Sequence, residues 1–412
     1  MVHHIHIAVL DVDIPARQLY EARGLCSAHF RTVLRETAAR LNDTFFSEKE
    51  KLDVKITPYD IRGGHYPDLY KLRGHTGEDQ IPVAYPVDAV LITGGSPGVY
   101  EMDRSPWMQE LKAFVRTVYA QYPQVRILGT CFGHQLISHS IVRNKEDTAR
   151  DVWVEKCPLG REVGIHNVQL NKGFLDAFPS ALGHLPDGQL RIQMFHGDRV
   201  MAVEKGTPVT VTESPPVSLP APWINIGSTE ICPIQGLYHP GRVLTVQGHY
   251  EMDAFGLTKM CLEAAPVMGW KESKLALFLE QVGDDLKEDQ CDRKAFASAV
   301  AKSEVQGSRA RKCWKGGEFV ISQEFPVIVW KMTRLQREAE VAREYARQDR
   351  IRSSAPLYAD PSCQMSWRPP FHHLKAHLAQ IDYSSPLGRA WKAIRFSARL
   401  VFVSLGLTAD HG

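Results

Sequence analysis

The sequence lacks several features that would place it in whole classes of protein. Its 412 residues carry a formal net charge of only +2, which argues against a protein held to nucleic acid by bulk charge. No apolar run is long enough to cross a bilayer, so we expect no membrane contact. The eight cysteines show no paired spacing, which argues against a disulfide framework. Since the first residues do not resemble a secretory signal either, we expect a cytoplasmic protein.

Patterns for binding metals and phosphates are missing as well. His3, His4 and His6 alternate in direction along an N-terminal strand, with no acidic or cysteine partner at a metal-binding spacing. His373 and His377 stand one helical turn apart but lack the glutamate of an H-E-x-x-H motif. No phosphate loop of the G-x-x-x-x-G-K-[ST] type occurs. The sequence therefore predicts neither a metal nor a cofactor.

Strand and helix patterns alternate through the first two thirds of the chain. Strand patterns occupy residues 5–11, 51–60, 87–95 and 124–129, and helical patterns occupy residues 29–41, 106–122, 134–142 and 254–267. Such alternation predicts an α/β fold, with a mostly parallel central sheet flanked by helices on both faces. Further β-rich pieces at residues 161–170, 189–198, 207–214 and 241–251 predict a small β-rich excursion.

The composition changes after about residue 306. Residues 307–412 are basic overall, whereas residues 1–306 are acidic, and residues 332–352 have the spacing of a basic amphipathic helix. We interpret this part as a partly ordered appendage; a membrane-surface or partner-binding segment and an imperfect gene model are the alternatives. We therefore predict one domain over residues 1–275 and an extension, partly helical and partly irregular, over residues 276–412.

A cysteine stands on a glycine-rich corner in the stretch RILGTCFGHQL, residues 126–136. Cys131 has a glycine two residues to each side, between a buried strand and a helix. This G-x-C-x-G pattern is the thiol version of a nucleophile elbow, whose crowded backbone needs small neighbours. The N-terminus of the following helix favours thiolate over thiol. A buried, inert cysteine is the alternative, and the two glycines argue against it.

A thiol nucleophile needs a base, and TVQGHYEMD, residues 245–253, offers one. His249 follows a Val-rich strand, and Glu251 lies two residues further on, on the same side of an extended chain. Glu251 is therefore expected to orient the imidazole of His249. The order Cys, His, Glu argues against an α/β-hydrolase, in which the histidine comes last.

Backbone N–H groups near the cysteine are candidate oxyanion donors. The N–H of Phe132 opens the helix after Cys131, where a tetrahedral oxyanion would form. The stretch LITGGSPGVYE, residues 91–101, ends a strand in Gly94 and Gly95 and offers a second donor. An ordinary turn between strand and loop is the alternative interpretation of these glycines.

Three blocks together carry a family resemblance: GTCFGHQ (129–135), LITGGSPGVYE (91–101) and VQGHYE (246–251). In order and spacing they resemble class I, or triad, glutamine amidotransferase domains, over roughly residues 5–270. The likeness is greatest to stand-alone GMP-synthase-like members, which include γ-glutamyl peptidases. The resemblance implies a flavodoxin-like α/β fold for the domain of residues 1–275.

The resemblance also implies an activity and its catalytic residues. Cys131 would attack the γ-carboxamide carbonyl of glutamine or of a γ-glutamyl peptide and form a γ-glutamyl thioester. His249 would carry the proton to the leaving amine, and Glu251 would orient His249. The N–H groups of Gly95 and Phe132 would form the oxyanion hole.

Substrate-binding residues follow from the same resemblance. Gln135 matches a position that contacts the glutamyl group, and Gly94 would let the backbone approach the substrate. His196 lies in a segment, QMFHGDRV, that such members often carry; it is either part of the pocket or part of a polar turn. One departure is Tyr250, which stands where the family usually has proline.

No synthetase domain can be recognised after residue 270, because a Ser/Gly-rich phosphate loop is missing there. The enzyme would then either deliver ammonia to a separate synthetase or simply hydrolyse its substrate. Two other interpretations remain: a cysteine peptidase of the wider elbow-cysteine superfamily, with His134 as base, and a non-catalytic regulatory or binding protein that keeps the fold.

Overall fold

Strands and helices alternate along the chain. The computed structural model describes residues 2–44, 46, 51–75, 85–143, 147–208, 216–283 and 291–312. The strands are β1 Val2–Asp11, β2 Lys51–Asp60, β3 Ala89–Ile92, β4 Arg126–Thr130, β5 Arg150–Lys156, β6 Glu162–Leu170, β7 Gln189–His196, β8 Asp198–Glu204, β9 Ile224–Asn225, β10 Gly227–Ser228, β11 Gly236–His239 and β12 Val243–Val246.

The helices are α1 Arg17–Arg23, α2 Cys26–Thr44, α3 Pro106–Gln121, α4 Phe132–Ile137, α5 Lys172–Ala177, α6 Pro179–Leu182, α7 Ala254–Val267, α8 Glu272–Val282 and α9 Arg293–Lys312. A π-helical turn, Ser138–Val142, continues α4. Within the described ranges, no helix combines the length and the apolar character needed to cross a membrane.

Seven strands form the central sheet, in the order β2-β1-β3-β4-β12-β11-β9. The first five are mutually parallel, and β11 and β9 extend the sheet in antiparallel fashion. The predicted α/β fold with a mostly parallel central sheet is thus confirmed. The carboxyl ends of β3, β4 and β12 lie side by side, and the three predicted sequence blocks meet at this edge.

Both faces of the sheet are buried. In β1, Ile5, Ile7 and Val9 pack into one hydrophobic cluster with α2, whereas Ala8 and Leu10 pack into another with α3. Burial on both faces explains why the parallel strands have continuous apolar sequences.

The predicted β-rich excursion consists of two small antiparallel sheets, β10-β6-β7 and β5-β8. Residues 161–170 and 189–198 form β6 and β7 as predicted. Strands β5, β8, β9, β10 and β11 were not predicted. Most of the strand expected at residues 207–214 lies outside the described residues.

Two helices continue the chain beyond the α7 helix. Helix α8 spans the predicted boundary at residue 275, and Phe296 and Val300 of α9 are buried in the same hydrophobic cluster as α2. The aromatic ring of Phe296 lies 5.3 Å from that of Tyr250. The division at residue 275 stays a prediction, and the amphipathic helix expected at residues 332–352 lies outside the described residues.

Candidate active site

Cys131 occupies a strained corner between β4 and α4. Its backbone has φ 49° and ψ −109°, a positive φ that is uncommon for a residue other than glycine. A Cβ at residue 133 would collide with the carbonyl oxygen of Ile92, and one at residue 129 would lie 2.6 Å from Cδ1 of Ile137. Both flanking residues must therefore be glycine for α4 to pack this tightly on the sheet.

His249 reaches the corner from the end of β12. The Cys131 N–H donates to the carbonyl of Val246 at 2.9 Å, which aligns the two strand ends. The His249 N–H donates to the carbonyl of Gln193 at 2.8 Å, so the neighbouring β7 strand also holds this backbone.

Glu251 holds the imidazole, but not in the way that the sequence predicts. Nδ1 of His249 and Oε1 of Glu251 are 2.7 Å apart, and both side chains are buried. The backbone between them is a turn, closed by a long bond of 3.4 Å from the Met252 N–H to the His249 carbonyl. The expectation of an extended chain was wrong, because β12 ends at Val246 and the chain bends there toward α7. The expected pair forms nevertheless.

The thiol of Cys131 and the ring of His249 face each other beside Gly94. A Cβ at residue 94 would lie 2.9 Å from Cε1 of His249 and 3.5 Å from Cβ of Cys131. Nε2 of His249 has no hydrogen bond of normal geometry to the described residues, although the thiol is close enough to act on the ring electrostatically. Nε2 is thus the ring nitrogen that Glu251 does not occupy.

The charges around His249 favour its protonated form. Burial alone lowers the pKa of His249, but the carboxylate of Glu251 and the thiol of Cys131 outweigh it and raise the pKa to about 10. The site therefore stabilises an imidazolium between two groups that can be anionic.

His134, the alternative base, has different surroundings. It is fully buried, and its Nδ1 lies 2.8 Å from the hydroxyl of Thr245 on β12. Burial lowers the pKa of His134 to about 3, so its ring is neutral. The thiol of Cys131 is among the groups that shift the pKa of His249 and is not among those that shift the pKa of His134.

The glycine loop after β3 is firmly anchored. The Ser96 N–H donates to Oδ2 of Asp13 at 2.9 Å, and the Val12 N–H donates to the hydroxyl of Thr93 at 3.1 Å. Gly95 packs against Val12, where a Cβ would lie 2.9 Å from a methyl group. The loop is held close to the corner, and the oxyanion roles of Gly95 and Phe132 stay predictions.

The two remaining candidates, Gln135 and His196, are both buried. The side-chain amide of Gln135 is buried and donates to Oε1 of Gln247 at 3.1 Å. His196 is also buried and lies 2.9 Å from the carboxylate of Glu162. Their predicted contacts with substrate stay predictions.

Sequence reasoning missed Asp13 and Arg62 as parts of this edge. Asp13 follows the carboxyl end of β1, and Arg62 binds both the Val12 carbonyl, at 2.8 Å, and Asp13, at 3.4 Å. The guanidinium of Arg62 also lies over the ring of Trp107, which contacts Phe132. Because ligands of open α/β sheets bind at the carboxyl ends of strands, the position of Asp13 after β1 was a usable signal.

The chain is similar in sequence to proteins named for glutamine amidotransferases. No family model matches the chain. A glutamine amidotransferase-like protein of Schizosaccharomyces pombe is 26% identical over 246 residues, which cover 60% of this chain and 79% of the relative. A Saccharomyces cerevisiae protein assigned by name to the glutamine amidotransferases is 27% identical over 205 residues, 49% of this chain and 64% of the relative.

Among solved structures, a glutamine amidotransferase of Thermotoga maritima is 16% identical, with a TM-score of 0.46, over 73% of this chain and 99% of that one. The sequence relatives share this resemblance, and the carboxyl ends of the parallel strands carry the three blocks. On these grounds, the predicted resemblance to a class I glutamine amidotransferase-like domain is confirmed.

Proposed function

We propose that this chain is a thiol-dependent amidohydrolase that cleaves the γ-carboxamide of glutamine or the γ-glutamyl bond of a small peptide. The observation that carries the proposal is the buried His249, bound to Glu251 at 2.7 Å through Nδ1 and lying beside the thiol of the strained Cys131.

The reaction proceeds in two steps, formation of the thioester and its hydrolysis. The sulfur of Cys131 attacks the γ-carbonyl carbon, and the thiol proton passes through His249 to the leaving nitrogen. The C–N bond breaks, ammonia or an amine departs, and a γ-glutamyl thioester remains on Cys131. Water, deprotonated by His249, then attacks the thioester, and glutamate leaves as the sulfur regains a proton. Glu251 keeps the imidazole oriented throughout.

The N–H groups of Gly95 and Phe132 would stabilise the oxyanion in both steps. Two features support this assignment: Phe132 is the first residue of α4, where N–H groups have no partner within the helix, and the Gly95 loop is anchored beside the corner. The ammonia would go either to water or to a separate synthetase.

The test uses the purified full-length chain with glutamine and with γ-glutamyl dipeptides. We expect release of ammonia or of the amino acid, and mass spectrometry of the acid-quenched enzyme should find one glutamyl group on Cys131. Cys131→Ser should abolish both signals. Cys157→Ser is the matched control, because Cys157 is a partly exposed free cysteine away from the corner.

Each failure has a distinct meaning. Full turnover by Cys131→Ser would refute the nucleophile. A glutamyl adduct that persists in His249→Gln but vanishes in His134→Gln would identify the base of the alternative peptidase arrangement. A wild-type chain that neither turns over nor acquires an adduct with any of these substrates would favour the non-catalytic binding protein.

A further inference from the structure

Three potential metal ligands converge in the β-rich excursion, outside the proposed catalytic residues. Glu162 is the first residue of β6, His196 is the last residue of β7, and Cys232 lies in the loop between β10 and β11. Glu162 and His196 are direct partners across the antiparallel ladder. The ligand atoms of all three residues lie within 4.8 Å of one another, and all three side chains are buried.

The tautomer of His196 turns a lone pair toward Glu162. Nδ1 lies 2.9 Å from the backbone carbonyl of Asp198, and a carbonyl only accepts, so Nδ1 carries a hydrogen. Nε2 lies 2.9 Å from Oε2 of Glu162 yet is not aligned with it as a hydrogen bond. In a neutral imidazole, Nε2 and Oε2 are two acceptors in close contact. A cation between them would relieve this repulsion, whether it is a proton or a metal ion.

Supporting contacts orient the other two ligands as well. Oε2 of Glu162 accepts a hydrogen bond of 2.7 Å from the side-chain amide of Gln235. The thiol of Cys232 lies 3.5 Å from the carbonyl of Ile234. Burial, with a further effect of the Glu162 charge, raises the pKa of Cys232 well above its usual range. A bound metal ion stabilises the thiolate form of a cysteine ligand.

We propose that Glu162, His196 and Cys232 bind a zinc ion. Imidazole, carboxylate and thiolate are the ligands that zinc takes in proteins, with bonds of about 2.0–2.3 Å. Tetrahedral geometry with these bonds separates the ligand atoms by roughly 3.3–3.7 Å, so small side-chain movements would close the site. One carboxylate and one thiolate balance the charge of Zn²⁺, which matters in a buried site.

Binding of zinc releases one proton from the protein. The Cys232 thiol releases one proton to solvent as sulfur binds zinc, and neutral His196 binds through Nε2. Water takes the fourth position. The hydrogen bond from Nδ1–H of His196 to the carbonyl of Asp198 is the outer contact typical of a metal-binding histidine.

The site has a structural role, because it ties the loop before β11 to the β6-β7 hairpin. Gln235, three residues after Cys232, accepts a backbone hydrogen bond of 2.8 Å from the Gln247 N–H. The carbonyl of Gln193 on β7 accepts a backbone hydrogen bond from the His249 N–H. Zinc would thus stabilise two segments that support the His249 turn.

The experiment measures zinc in the purified full-length chain by mass spectrometry. We expect about one zinc ion per chain, retained in Cys131→Ser and lost in Cys232→Ser and His196→Ala. After exchange for Co²⁺ in the Cys131→Ser background, the sulfur-to-cobalt absorption band should appear, and it should vanish when Cys232 is also replaced. A chelator should lower the melting temperature of Cys131→Ser but leave that of the double variant unchanged.

A chain without zinc that also gives no sulfur-to-cobalt band in the Cys131→Ser background would overturn the proposal. Neither measurement requires a substitution among Glu162, His196 and Cys232, so misfolding of such a variant cannot obscure the result. His196 and Glu162 would then form a buried ion pair with a proton between them. Zinc that is lost from Cys131→Ser but kept by Cys232→Ser would equally contradict the proposal, since the metal would then sit on the nucleophile.

Discussion

Replacing Glu251 by glutamine should remove the proton that His249 holds at neutral pH. Burial is the largest effect on this ring and lowers its pKa, while the Glu251 charge is the largest effect that raises it. The net rise from 6.5 to about 10 corresponds to on the order of 5 kcal/mol in favour of the imidazolium. Without the carboxylate, burial would dominate, and the pKa of His249 should fall to or below its ordinary value.

Imidazole resonances of ¹⁵N-histidine-labelled protein provide the assay, with His249→Gln to assign the signal. In the wild type, we expect His249 to stay protonated from pH 6 to 9; in Glu251→Gln it should be neutral at pH 7. Turnover should fall by about 10²- to 10⁴-fold, the usual cost of losing the group that orients a catalytic histidine. Glu263→Gln, at an exposed glutamate of α7, is the matched control.

The same change alters how stability depends on pH. The folded pKa of His249 is raised above its unfolded value, so its contribution is complete below pH 6.5 and is lost as the pH rises through about 10. The free energy of unfolding of the wild type, measured in urea, should therefore fall more steeply between pH 7 and 10 than that of Glu251→Gln. Equal slopes, or a neutral His249 at pH 7 in the wild type, would refute this account of the site.

Two further substitutions test the packing around the site. In Gly94→Ala, the new Cβ would lie 2.9 Å from Cε1 of His249 and displace the imidazole. Turnover should therefore drop by about 10- to 100-fold, while the melting temperature changes little. Unchanged turnover would mean that the ring of His249 moves freely. In Phe296→Ala, loss of a buried aromatic ring should cost about 3–5 kcal/mol in the free energy of unfolding. Lys294→Ala, at an exposed position of the same helix, is its control, and a cost no larger than the control's would show that α9 does not pack there.

Local patterns predicted the central sheet well, because burial on both faces leaves a clear signature in each strand. Strand β2 and helix α7 have the predicted bounds, since one alternates with period two and the other follows an apolar helical spacing. Strand β5, RDVWVEK, is charged and only partly buried, and it is stabilised by pairing with β8. Such a strand depends on a distant partner, which a local pattern does not reveal.

The elbow could be read locally, because the strain at Cys131 is relieved by glycines only two residues away. The pairing of His249 with Glu251 was also local, although a turn rather than a strand produces it. Ligands brought together by long-range folding left no such signal. Glu162, His196 and Cys232 come from three segments, and only the β6-β7 register places the first two opposite each other.

Tyr250 shows how a distant helix can replace a local constraint. A proline between His249 and Glu251 would fix the backbone by restricting φ. In this chain, Tyr250 is buried instead between Phe30 of α2, at a ring distance of 5.5 Å, and Phe296 of α9, at 5.3 Å. Phe30 and Phe296 contact Tyr250 from two different helices. Side-chain packing, rather than a restricted φ, therefore fixes the turn between His249 and Glu251. A chain that ends before α9 would lose half of that support, and the geometry of His249 and Glu251 therefore depends on residues beyond the recognisable sequence blocks.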